Sequence, residues 1–491
     1  MCADWSTRYP AQWTLAIFHS KIAGGSGRGA GLEIAKEVRS MNAVPKSSVD
    51  SPEVRVDFVP RENYVSPEFT KLEETKLWQR VWQVACREED VPKVGSFFTY
   101  NVIGQSIIVV RAEDGNIKAF HNSCRHRGRQ LTQGCGSVTK LHCPFHGWQW
   151  NLSGDIQYVQ DRINWNGYPG MSDQELRLID VRVGIWGGFV FVNMDPNAGP
   201  LEEFIQPVSH YLDFLEFGKM RYAWHKTMVV KANWKTALES FMESYHVAST
   251  HPQLLSFADE TNVSRARGKH GVHIYSWPRP LGSPALRTGK PEPEDFRDAY
   301  AKAFELLAVQ TGGVQRDGSV SDRSAKAVRR LLTEVPPGAS QQEVMGKAFE
   351  FMKEAAEAEG AGWPTFTPEQ GADMGAAWNV FPNVAFALGI DCTLVLRTLP
   401  NGADPNSCIF DMSAINRYGP GKEPKFEREF YADWRANLDK IPYILAQDVS
   451  NMEFVQAGMQ SITYKGSRIN PVQETQISNL HSVVREYLSR P

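Results

Sequence analysis

Four side chains between residues 121 and 150 have the types and spacing of metal ligands. Cys124 and His126 form a Cys-x-His pair, Cys143 and His146 form a Cys-x-x-His pair, and sixteen residues lie between the two pairs. Thiolate sulfur and imidazole nitrogen are ligands that suit iron or zinc better than magnesium or calcium. Glycines follow both pairs and provide turns in which the backbone can approach a metal closely. The sequence therefore predicts two ligand loops that share one metal centre.

The mixed composition of each pair fits a Rieske [2Fe–2S] centre, in which two histidines replace two cysteines on one iron. A zinc site is the alternative, because Zn²⁺ also accepts two cysteines and two histidines. Zinc fingers place both cysteines in one pair and both histidines in the other, whereas each pair here holds one of each. We therefore predict that Cys124, His126, Cys143 and His146 bind a Rieske cluster.

A second group of polar side chains lies on a predicted helix over residues 233–249. Apolar residues repeat there at helical spacing, and Glu239, Glu243 and His246 fall near the opposite face. A solvated helix face is the alternative explanation for these carboxylates. His251 follows His246 by five residues, and the proline after it disfavours helical geometry at that position. The chain is thus expected to turn where His251 can reach back towards His246.

A third ligand is indicated by a carboxylate at an unfavourable position. Asp448 lies within the apolar stripe of a predicted helix in residues 439–460. Burying an ionised carboxylate among aliphatic side chains is costly unless it meets a cation or metal; backbone donors or an arginine are the alternative partners. With His246 and His251 it would complete the two-histidine, one-carboxylate triad of non-haem Fe(II) oxygenases. Two other carboxylates are the alternatives for this ligand, Asp391 and Glu453.

The composition is that of a globular protein with more than one domain. The chain has 491 residues, 42% hydrophobic and 22% charged, with a net charge of −3, and this length favours two domains. Neither nucleic acid nor an anionic membrane is indicated as a partner, and no run of eighteen apolar residues occurs. Seven cysteines are few for this length, which predicts free thiols in a reducing cytoplasm. Residues 1–50 are predicted to be a flexible leader.

Short strands are predicted around the first set of ligands. Two strands joined by a hairpin-type turn are expected over residues 106–120, and residues 184–193 form another strand-like run. An amphipathic helix is predicted before them, over residues 66–86. We therefore expect a domain over residues 51–195, whose antiparallel core at 90–195 carries the metal at its loop tips.

A larger mixed domain is predicted over residues 200–491. Strands are expected at 223–230 and 385–396, and a helical segment at 427–460. Residues 290–360 are rich in Ala, Glu and Lys and have helical periodicity. Long excursions of this kind often act as lids in enzymes. We expect this helical insertion to shield or shape the entrance to a substrate site.

The two sets of motifs together resemble the terminal oxygenase (large, or alpha) subunit of the Rieske non-haem iron oxygenases, the aromatic ring-hydroxylating dioxygenase family. The motifs that carry the resemblance are Cys124-Arg-His126-Arg-Gly128, Cys143-Pro-Phe-His146-Gly-Trp148 and Glu243-x-x-His246-x₄-His251-Pro252. It implies an α+β fold, with an antiparallel β-rich Rieske domain beside a helix-grip (START-like) catalytic domain. In that catalytic domain an antiparallel sheet curves around a long helix.

The resemblance also implies the role of each motif. The cysteines and histidines of the first set would hold the [2Fe–2S] cluster, and His246, His251 and Asp448 would hold a mononuclear Fe(II). Glu243 stands where the family places an acidic residue that bridges the two centres. Many ring dioxygenases have aspartate at this position, and glutamate is similar to the branch that oxidises quaternary ammonium compounds such as carnitine. Family members are typically trimers in which electrons cross from one subunit's cluster to its neighbour's iron.

The implied function is that of a terminal oxygenase, a dioxygenase or monooxygenase of aromatic hydrocarbon catabolism. It would use O₂ and electrons from NAD(P)H, delivered by a separate reductase directly or through a ferredoxin, to hydroxylate a small aromatic or other hydrophobic organic substrate. A monooxygenase of a carnitine- or betaine-like compound is the alternative. The implied assembly is a cytoplasmic homotrimer, alone or with a small beta subunit.

Two functions from other classes would use only part of these features. A Rieske electron carrier would need the cluster domain but not the His-His-Asp set, and a lipid carrier of helix-grip fold would need neither set. The presence of both sets favours the oxygenase.

Overall fold

The first half of the chain is dominated by antiparallel strands. The computed structural model describes residues 54–276 and 278–490, so the predicted leader at 1–50 lies outside the described residues. The strands of this part are β1 (Phe58–Pro60), β2 (Gln83–Arg87), β3 (Ser96–Val102), β4 (Gln105–Arg111), β5 (Ile117–His121), β6 (Cys135–Ser137), β7 (Leu141–His142), β8 (Gln149–Trp150), β9 (Ile156–Tyr158), β10 (Asp180–Trp186) and β11 (Phe189–Asn193). One sheet has the order β2-β11-β10-β5-β4-β3-β6, and a smaller one has the order β7-β8-β9.

The predicted hairpin of β4 and β5 is present, with Val109 opposite Ala119. The expected single run at 184–193 was wrong, because it is a hairpin of β10 and β11. Its turn is formed by Gly187 and Gly188, which both have positive φ, a conformation that glycine adopts without steric cost.

The predicted helix over residues 66–86 ends early. An α-helix at Pro67–Leu72 continues as a π-helical turn over Glu73–Trp78, and residues 83–87 form strand β2 instead. All five residues of β2 are buried, and the guanidinium of Arg397, from the second half of the chain, donates to the carbonyl oxygens of Val84 and Ala85. Such a two-sided burial pattern cannot be told from a buried helix by periodicity.

The second half of the chain is built on one eight-stranded sheet. Its strands are β12 (Met220–Val230), β13 (Asn262–Arg267), β14 (His270–Tyr275), β15 (Ala377–Val380), β16 (Val384–Leu388), β17 (Cys392–Pro400), β18 (Cys408–Arg417) and β19 (Arg428–Tyr431). The order is β13-β14-β15-β16-β17-β18-β12-β19, and only the β12–β19 pair is parallel. A short strand, β20 (Gly466–Arg468), pairs with β1.

Helices connect and cover these strands. They are α1 (Glu62–Val65), α2 (Pro67–Leu72), α3 (Asp173–Leu176), α4 (Leu201–Ile205), α5 (Val208–Leu212), α6 (Trp234–Glu239), α7 (Val247–Thr250), α8 (Phe296–Gly312), α9 (Asp322–Val328), α10 (Leu331–Glu334), α11 (Gln341–Ala358), α12 (Pro368–Asp373), α13 (Tyr443–Met459) and α14 (Thr475–Ser489). Helix α14 packs on β13 and β14, and α6 packs on β17 and β18. The fold is therefore a β-rich part, with the seven- and three-stranded sheets, beside a mixed part with the eight-stranded sheet, and both lie in one compact unit.

Two predicted helices are shorter than expected. The helix over 233–249 is broken into α6 and α7, and residues 240–246 between them are irregular. The segment 427–460 begins with strand β19 and a 3₁₀ stretch, and only α13 is α-helical. The single strand predicted at 385–396 is likewise divided, between β16 and β17.

The helical insertion contains α8 to α11. Its helices break at Gly313 and at Pro336-Pro337-Gly338, where the sequence places helix-breaking residues. Asp391, directly before β17, holds the insertion on the sheet: its Oδ2 accepts hydrogen bonds from Ser321 Oγ at 2.6 Å, Ser324 Oγ at 2.9 Å and Arg323 Nη2 at 2.9 Å. Among the helices that the structure describes, none has both the length and the apolar character required to cross a membrane.

A buried ion pair joins the N-terminal helical segment to α6. Lys235 Nζ lies 2.6 Å from Glu73 Oε1, and both side chains are at most 1% exposed. Burial raises the pKa of Glu73 and lowers that of Lys235, while the attraction between them opposes both shifts. Trp234 Nε1 donates to the other carboxylate oxygen at 3.3 Å. This pair fixes the helix that leads into the predicted iron ligands.

Glu73→Leu should destabilise the protein by about 3–5 kcal/mol, because it leaves the Lys235 ammonium buried without a counter-charge. The double variant Glu73→Leu/Lys235→Met should recover much of that loss, since it buries neither charge. Urea unfolding followed by circular dichroism measures both. Lys71→Met, at an exposed ion pair with Glu74, is the control and should change stability little. If Glu73→Leu were as stable as Lys71→Met, the ion pair would not be needed to compensate the buried Lys235 ammonium.

Candidate metal centres

The two Cys/His loops have the same backbone design. One loop lies between β5 and β6, and the other connects β7 to β8. In each, the N–H of the glycine four residues after the cysteine donates to the cysteine carbonyl oxygen at 2.9 Å: Gly128 to Cys124, and Gly147 to Cys143. Both glycines have φ near +75° (76° and 75°), which a residue with a Cβ adopts only with strain. The sequence thus builds two matched turns that present their ligands to one place.

The four ligand side chains converge at the loop tips. His126 Nδ1 and His146 Nδ1 are 3.1 Å apart, close to the roughly 3.3 Å expected for two nitrogens bound tetrahedrally to one metal at 2.0–2.1 Å. Both cysteines are buried. Burial raises the pKa of the Cys124 thiol, and the backbone N–H groups of His126 and Arg127 oppose that shift. Hydrogen bonds to cluster sulfurs are one of the features that set a reduction potential.

The single-zinc alternative fits this geometry less well. In the described part of the chain, the one group of three or more His, Cys, Asp or Glu side chains placed to hold a single metal ion lies elsewhere. Each Cys/His pair instead offers one thiolate and one imidazole, and the two imidazoles meet each other, which is the ligand set of a cluster whose two histidines bind one of its two irons. The residues present fit a [2Fe–2S] cluster.

Cys124→Ser should abolish the Rieske EPR signal and the red-brown colour, because a serine hydroxyl does not replace a thiolate as a cluster ligand. Cys135→Ser is the matched control, since Cys135 is an exposed free cysteine outside the ligand set, and it should keep both. EPR of the dithionite-reduced proteins measures the difference. A colourless wild-type protein that contains zinc would contradict the assignment.

The group placed to hold a single ion consists of His246, His251 and Asp448, whose ligand atoms lie within 4.8 Å of one another. Asp448 Oδ1 lies 2.8 Å from His251 Nε2 and 3.4 Å from His246 Nε2. Asp448 and His251 are almost completely buried, whereas the side chain of His246 is 24% exposed. The irregular segment after α6 presents His246, the chain turns after α7 to present His251, and α13 supplies Asp448. The residues predicted to be the iron ligands are thus brought together.

The outer nitrogen of each imidazole meets an oxygen acceptor. His246 Nδ1 lies 2.6 Å from Glu243 Oε1, and His251 Nδ1 lies 2.9 Å from Gln447 Oε1. Because a carboxylate or amide oxygen only accepts, each ring carries its proton on Nδ1 and leaves the Nε2 lone pair for a metal. Glu243 Oε2 also accepts from the backbone N–H of His246 at 3.0 Å. The carboxylate of Glu243 therefore fixes both the ring and the backbone of His246.

The charges of the site favour a cation. Burial opposes ionisation of Asp448, but hydrogen bonds with His246 and His251 outweigh it and lower the pKa of that carboxyl. Burial also disfavours charge on His246, yet its hydrogen bonds to Asp448 and Glu243 raise the pKa of its imidazole to about 10. The raised pKa of His246 shows that the two carboxylates favour positive charge at this position, which a divalent cation would supply in place of the proton on Nε2. The donor set fits a non-haem Fe(II) site.

The alternative third ligands are engaged elsewhere. Asp391 binds the helical insertion, and Glu453 accepts hydrogen bonds from Trp434 Nε1 at 3.1 Å and from Arg435. In the described residues neither belongs to the group around the two histidines.

Comparison with known families agrees with this geometry. Residues 217–490 match the family described as the ring hydroxylating alpha subunit (catalytic domain), and residues 81–169 match the Rieske [2Fe–2S] domain. The chain belongs to the Rieske oxygenase alpha subunits. Membership implies a Rieske cluster and a non-haem iron as the cofactors of this alpha subunit.

Relatives with assigned activities match part of this alpha subunit. The glycine betaine monooxygenase oxygenase subunit of Chromohalobacter salexigens is 34% identical over 212 residues, 42% of this chain and 47% of its own. The carnitine monooxygenase oxygenase subunit of Escherichia coli is 29% identical over 210 residues, which are 42% of this chain and 54% of its own. The biphenyl 2,3-dioxygenase subunit alpha of Rhodococcus jostii is 29% identical over 194 residues (38% and 42%). The matches thus span about half the length of these relatives.

Solved structures share the fold over a greater length. A quaternary ammonium Rieske monooxygenase superposes with a TM-score of 0.60 at 18% identity, covering 91% of this alpha subunit and 100% of that chain. Naphthalene 1,2-dioxygenase with indole bound superposes with a TM-score of 0.59 at 19% identity, covering 88% and 92%. At these identities the likeness establishes the fold.

Sequence reasoning did not find the polar residues that support His251. Gln447 holds its Nδ1, and Gln253 Nε2 donates to the same Gln447 Oε1 at 2.7 Å. Glutamine is frequent at half-exposed positions, so the only available signal was the position of Gln447 directly before Asp448.

Proposed function

We propose that this alpha subunit is the oxygenase component of a Rieske monooxygenase that oxidises a quaternary ammonium compound of the glycine betaine or carnitine class. Its electrons come from NAD(P)H through a separate reductase. The observation that carries the oxygenase assignment is the convergence of His246, His251 and Asp448, with both imidazole Nε2 atoms directed at the carboxylate. A ligand set on one side of a metal leaves positions open for O₂ and substrate.

The protein's own residues have distinct tasks in this reaction. When bound, the cluster supplies single electrons and the mononuclear iron activates O₂. His246 and His251 present Nε2 atoms whose direction is set by Glu243 and Gln447. Asp448 supplies a carboxylate whose lowered pKa keeps it ionised at neutral pH. His251 and Asp448 are buried, whereas the side chain of His246 is 24% exposed, so the site is more open to solvent on the side of His246.

Three observations support a quaternary ammonium substrate over an aromatic hydrocarbon. The relatives with 34% and 29% identity described above are named for glycine betaine and carnitine. The residue three positions before His246 is glutamate, as the resemblance to the carnitine-oxidising branch implies. Two aromatic residues in and before β16 pack in the core: Phe386 contacts Phe189 and Phe217 at ring-centroid distances of 5.3 and 5.4 Å, and Phe381 stacks on Tyr487 at 5.6 Å, so neither is free to line a hydrocarbon pocket.

A single-turnover assay tests the substrate class without the partner reductase. Dithionite-reduced protein, freed of excess reductant, is mixed with O₂ and either glycine betaine, carnitine, choline, biphenyl or naphthalene. Hydroxylation of a carbon beside the quaternary nitrogen should release an amine and leave a carbonyl compound, both measurable by mass spectrometry. We expect these products from one of the ammonium compounds and no hydroxylated hydrocarbon. Hydroxylated biphenyl or naphthalene without amine release would favour the ring dioxygenase instead.

The assembly is part of this proposal. A solved relative is described as revealing inter-subunit electron transfer in a quaternary ammonium Rieske monooxygenase, and we propose the same route in a homotrimer of this chain. Sedimentation velocity of the purified holoprotein measures its oligomeric state, and a monomer active in single turnover would contradict the proposed route.

A further inference from the structure

The imidazole of His251 is held by a chain of three glutamine side chains. Gln447 Oε1 lies 2.9 Å from His251 Nδ1, and Gln253 Nε2 donates to the same oxygen at 2.7 Å. The amide oxygen of Gln447 thus accepts two hydrogen bonds, which fixes its orientation. Since that oxygen is an acceptor, the proton of His251 stays on Nδ1 and its Nε2 faces Asp448.

The chain of amides ends on the helical insertion. Gln253 Nε2 also donates to Gln310 Oε1 at 3.2 Å, and Gln310 lies in the last turn and a half of α8 (Phe296–Gly312). An amide nitrogen has two hydrogens, and Gln253 directs one to the support of His251 and the other to the insertion. The first helix of the insertion is therefore linked to a metal ligand through side chains alone.

Apolar side chains also connect helix α8 to the segment after His251 and to α13. Leu254 and Phe257, which follow His251, form a buried cluster with Ala303 of α8, and Ile444 of α13 packs against it. At the end of α8, a Cβ on Gly313 would lie 3.2 Å from Pro442 Cα, directly before α13. Helix α8 thus packs against the segment after His251 and against the start of the helix that carries Gln447 and Asp448.

We propose that helix α8 of the insertion positions His251 for metal binding through Gln310, Gln253 and Gln447. This inference rests on the proposed function, because it requires iron at His246, His251 and Asp448. Partners of a metal-binding histidine typically change metal affinity by about 10- to 100-fold when they are removed. The insertion is then part of the support of the metal centre, and Gln310 is a positioning residue rather than a catalytic one.

Metal affinity tests this proposal without measuring turnover. The mononuclear iron is removed with a chelator while the cluster is retained, and the protein is titrated with Co²⁺, whose visible absorption reports its coordination. Gln447→Leu should raise the Kd for Co²⁺ by about 10- to 100-fold, and Gln447→Glu should restore binding because it keeps an oxygen acceptor on His251 Nδ1. Gln310→Leu should weaken binding by a smaller factor and shift the Co²⁺ spectrum in the same sense.

The control is Gln315→Leu, an exposed glutamine directly after α8, which should leave the Kd unchanged. The thermal midpoint of each variant shows that it is folded, and the EPR signal shows that the cluster is intact. If Gln310→Leu binds Co²⁺ as the control does, the insertion does not position His251 and the inference is wrong, although the proposed function stands. If His251→Ala also binds Co²⁺ as tightly as the wild type, the metal site lies elsewhere and the proposed function fails with it.

Discussion

His251→Ala and Asp448→Ala should each remove the mononuclear iron and abolish turnover while leaving the Rieske EPR signal intact. Asp448 Oδ1 approaches both histidines, at 2.8 and 3.4 Å, so the loss of either residue leaves two ligands where three are needed. The cluster loops are built by separate strands with their own hydrogen bonds, so they should not respond. Iron quantitation, EPR and product formation in one preparation measure all three effects.

A matched control for Asp448→Ala lies on the same helix. Glu453 belongs to α13 but is bonded to Trp434 and Arg435, so Glu453→Ala should keep the mononuclear iron. If Asp448→Ala kept full iron and full turnover, the carboxylate ligand would have to be another residue. If Glu453→Ala lost the mononuclear iron while Asp448→Ala kept it, Glu453 would be the carboxylate ligand.

Glu243→Gln should retain both metal centres at saturating iron and slow electron transfer between them; partners of metal-binding histidines typically contribute about 10- to 100-fold to activity, and we expect a decrease of that order. The carboxylate accepts from the imidazole and the backbone N–H of His246. An amide can accept only through its oxygen, so one of these bonds is lost. Stopped-flow reoxidation of the reduced cluster in the presence of O₂ and substrate measures the rate.

Two comparisons separate electron transfer from a general loss of structure. Glu243→Asp keeps the charge with a shorter reach and should be milder, and Glu202→Gln, at an exposed glutamate of α4, should have no effect. Co-assembly of Cys124→Ser with His246→Ala tests the path itself, because each variant supplies the centre that the other lacks. Mixed trimers that recover no activity would show that electrons stay within one chain.

The metal ligands could be predicted because metal chemistry depends on a few residue types at short spacing. Cys124, His126, Cys143 and His146 lie on two tight turns, so their sequence spacing nearly determines their geometry. Asp448 was found because a buried carboxylate within an apolar stripe requires a partner, and its side chain is 5% exposed.

The path of the chain between α6 and α7 could not be predicted. The apolar stripe of a continuous helix over 233–249 includes Tyr245, which is 55% exposed, because the helix ends at Glu239 and the stripe does not continue in space. The break lets Glu243 fold back onto the N–H of His246, a local bond with no periodic signal. Glu239 itself is not on a solvated face, since its Oε1 lies 2.6 Å from Nε2 of buried His481 in α14.

The supporting residues were hidden for a different reason. Gln253, Gln310 and Gln447 come from three segments that are distant in sequence, and apart from the position of Gln447 beside Asp448 nothing local distinguishes them from other half-exposed glutamines. The role of the insertion at a substrate entrance stays a prediction, and its contacts with the segment after His251 and with α13 also connect it to the metal site. Only the tertiary packing of α8 reveals that connection.

Quantitation of iron and acid-labile sulfide per chain tests the central claim most directly. A chain that holds both a [2Fe–2S] cluster and a mononuclear iron should contain about three irons and two sulfides, and His251→Ala should lose one iron and no sulfide. An electron carrier would contain two irons and two sulfides, and the His251→Ala change would then have no effect on either. That result, in protein with an intact Rieske EPR signal, would contradict the assignment of this chain as an oxygenase.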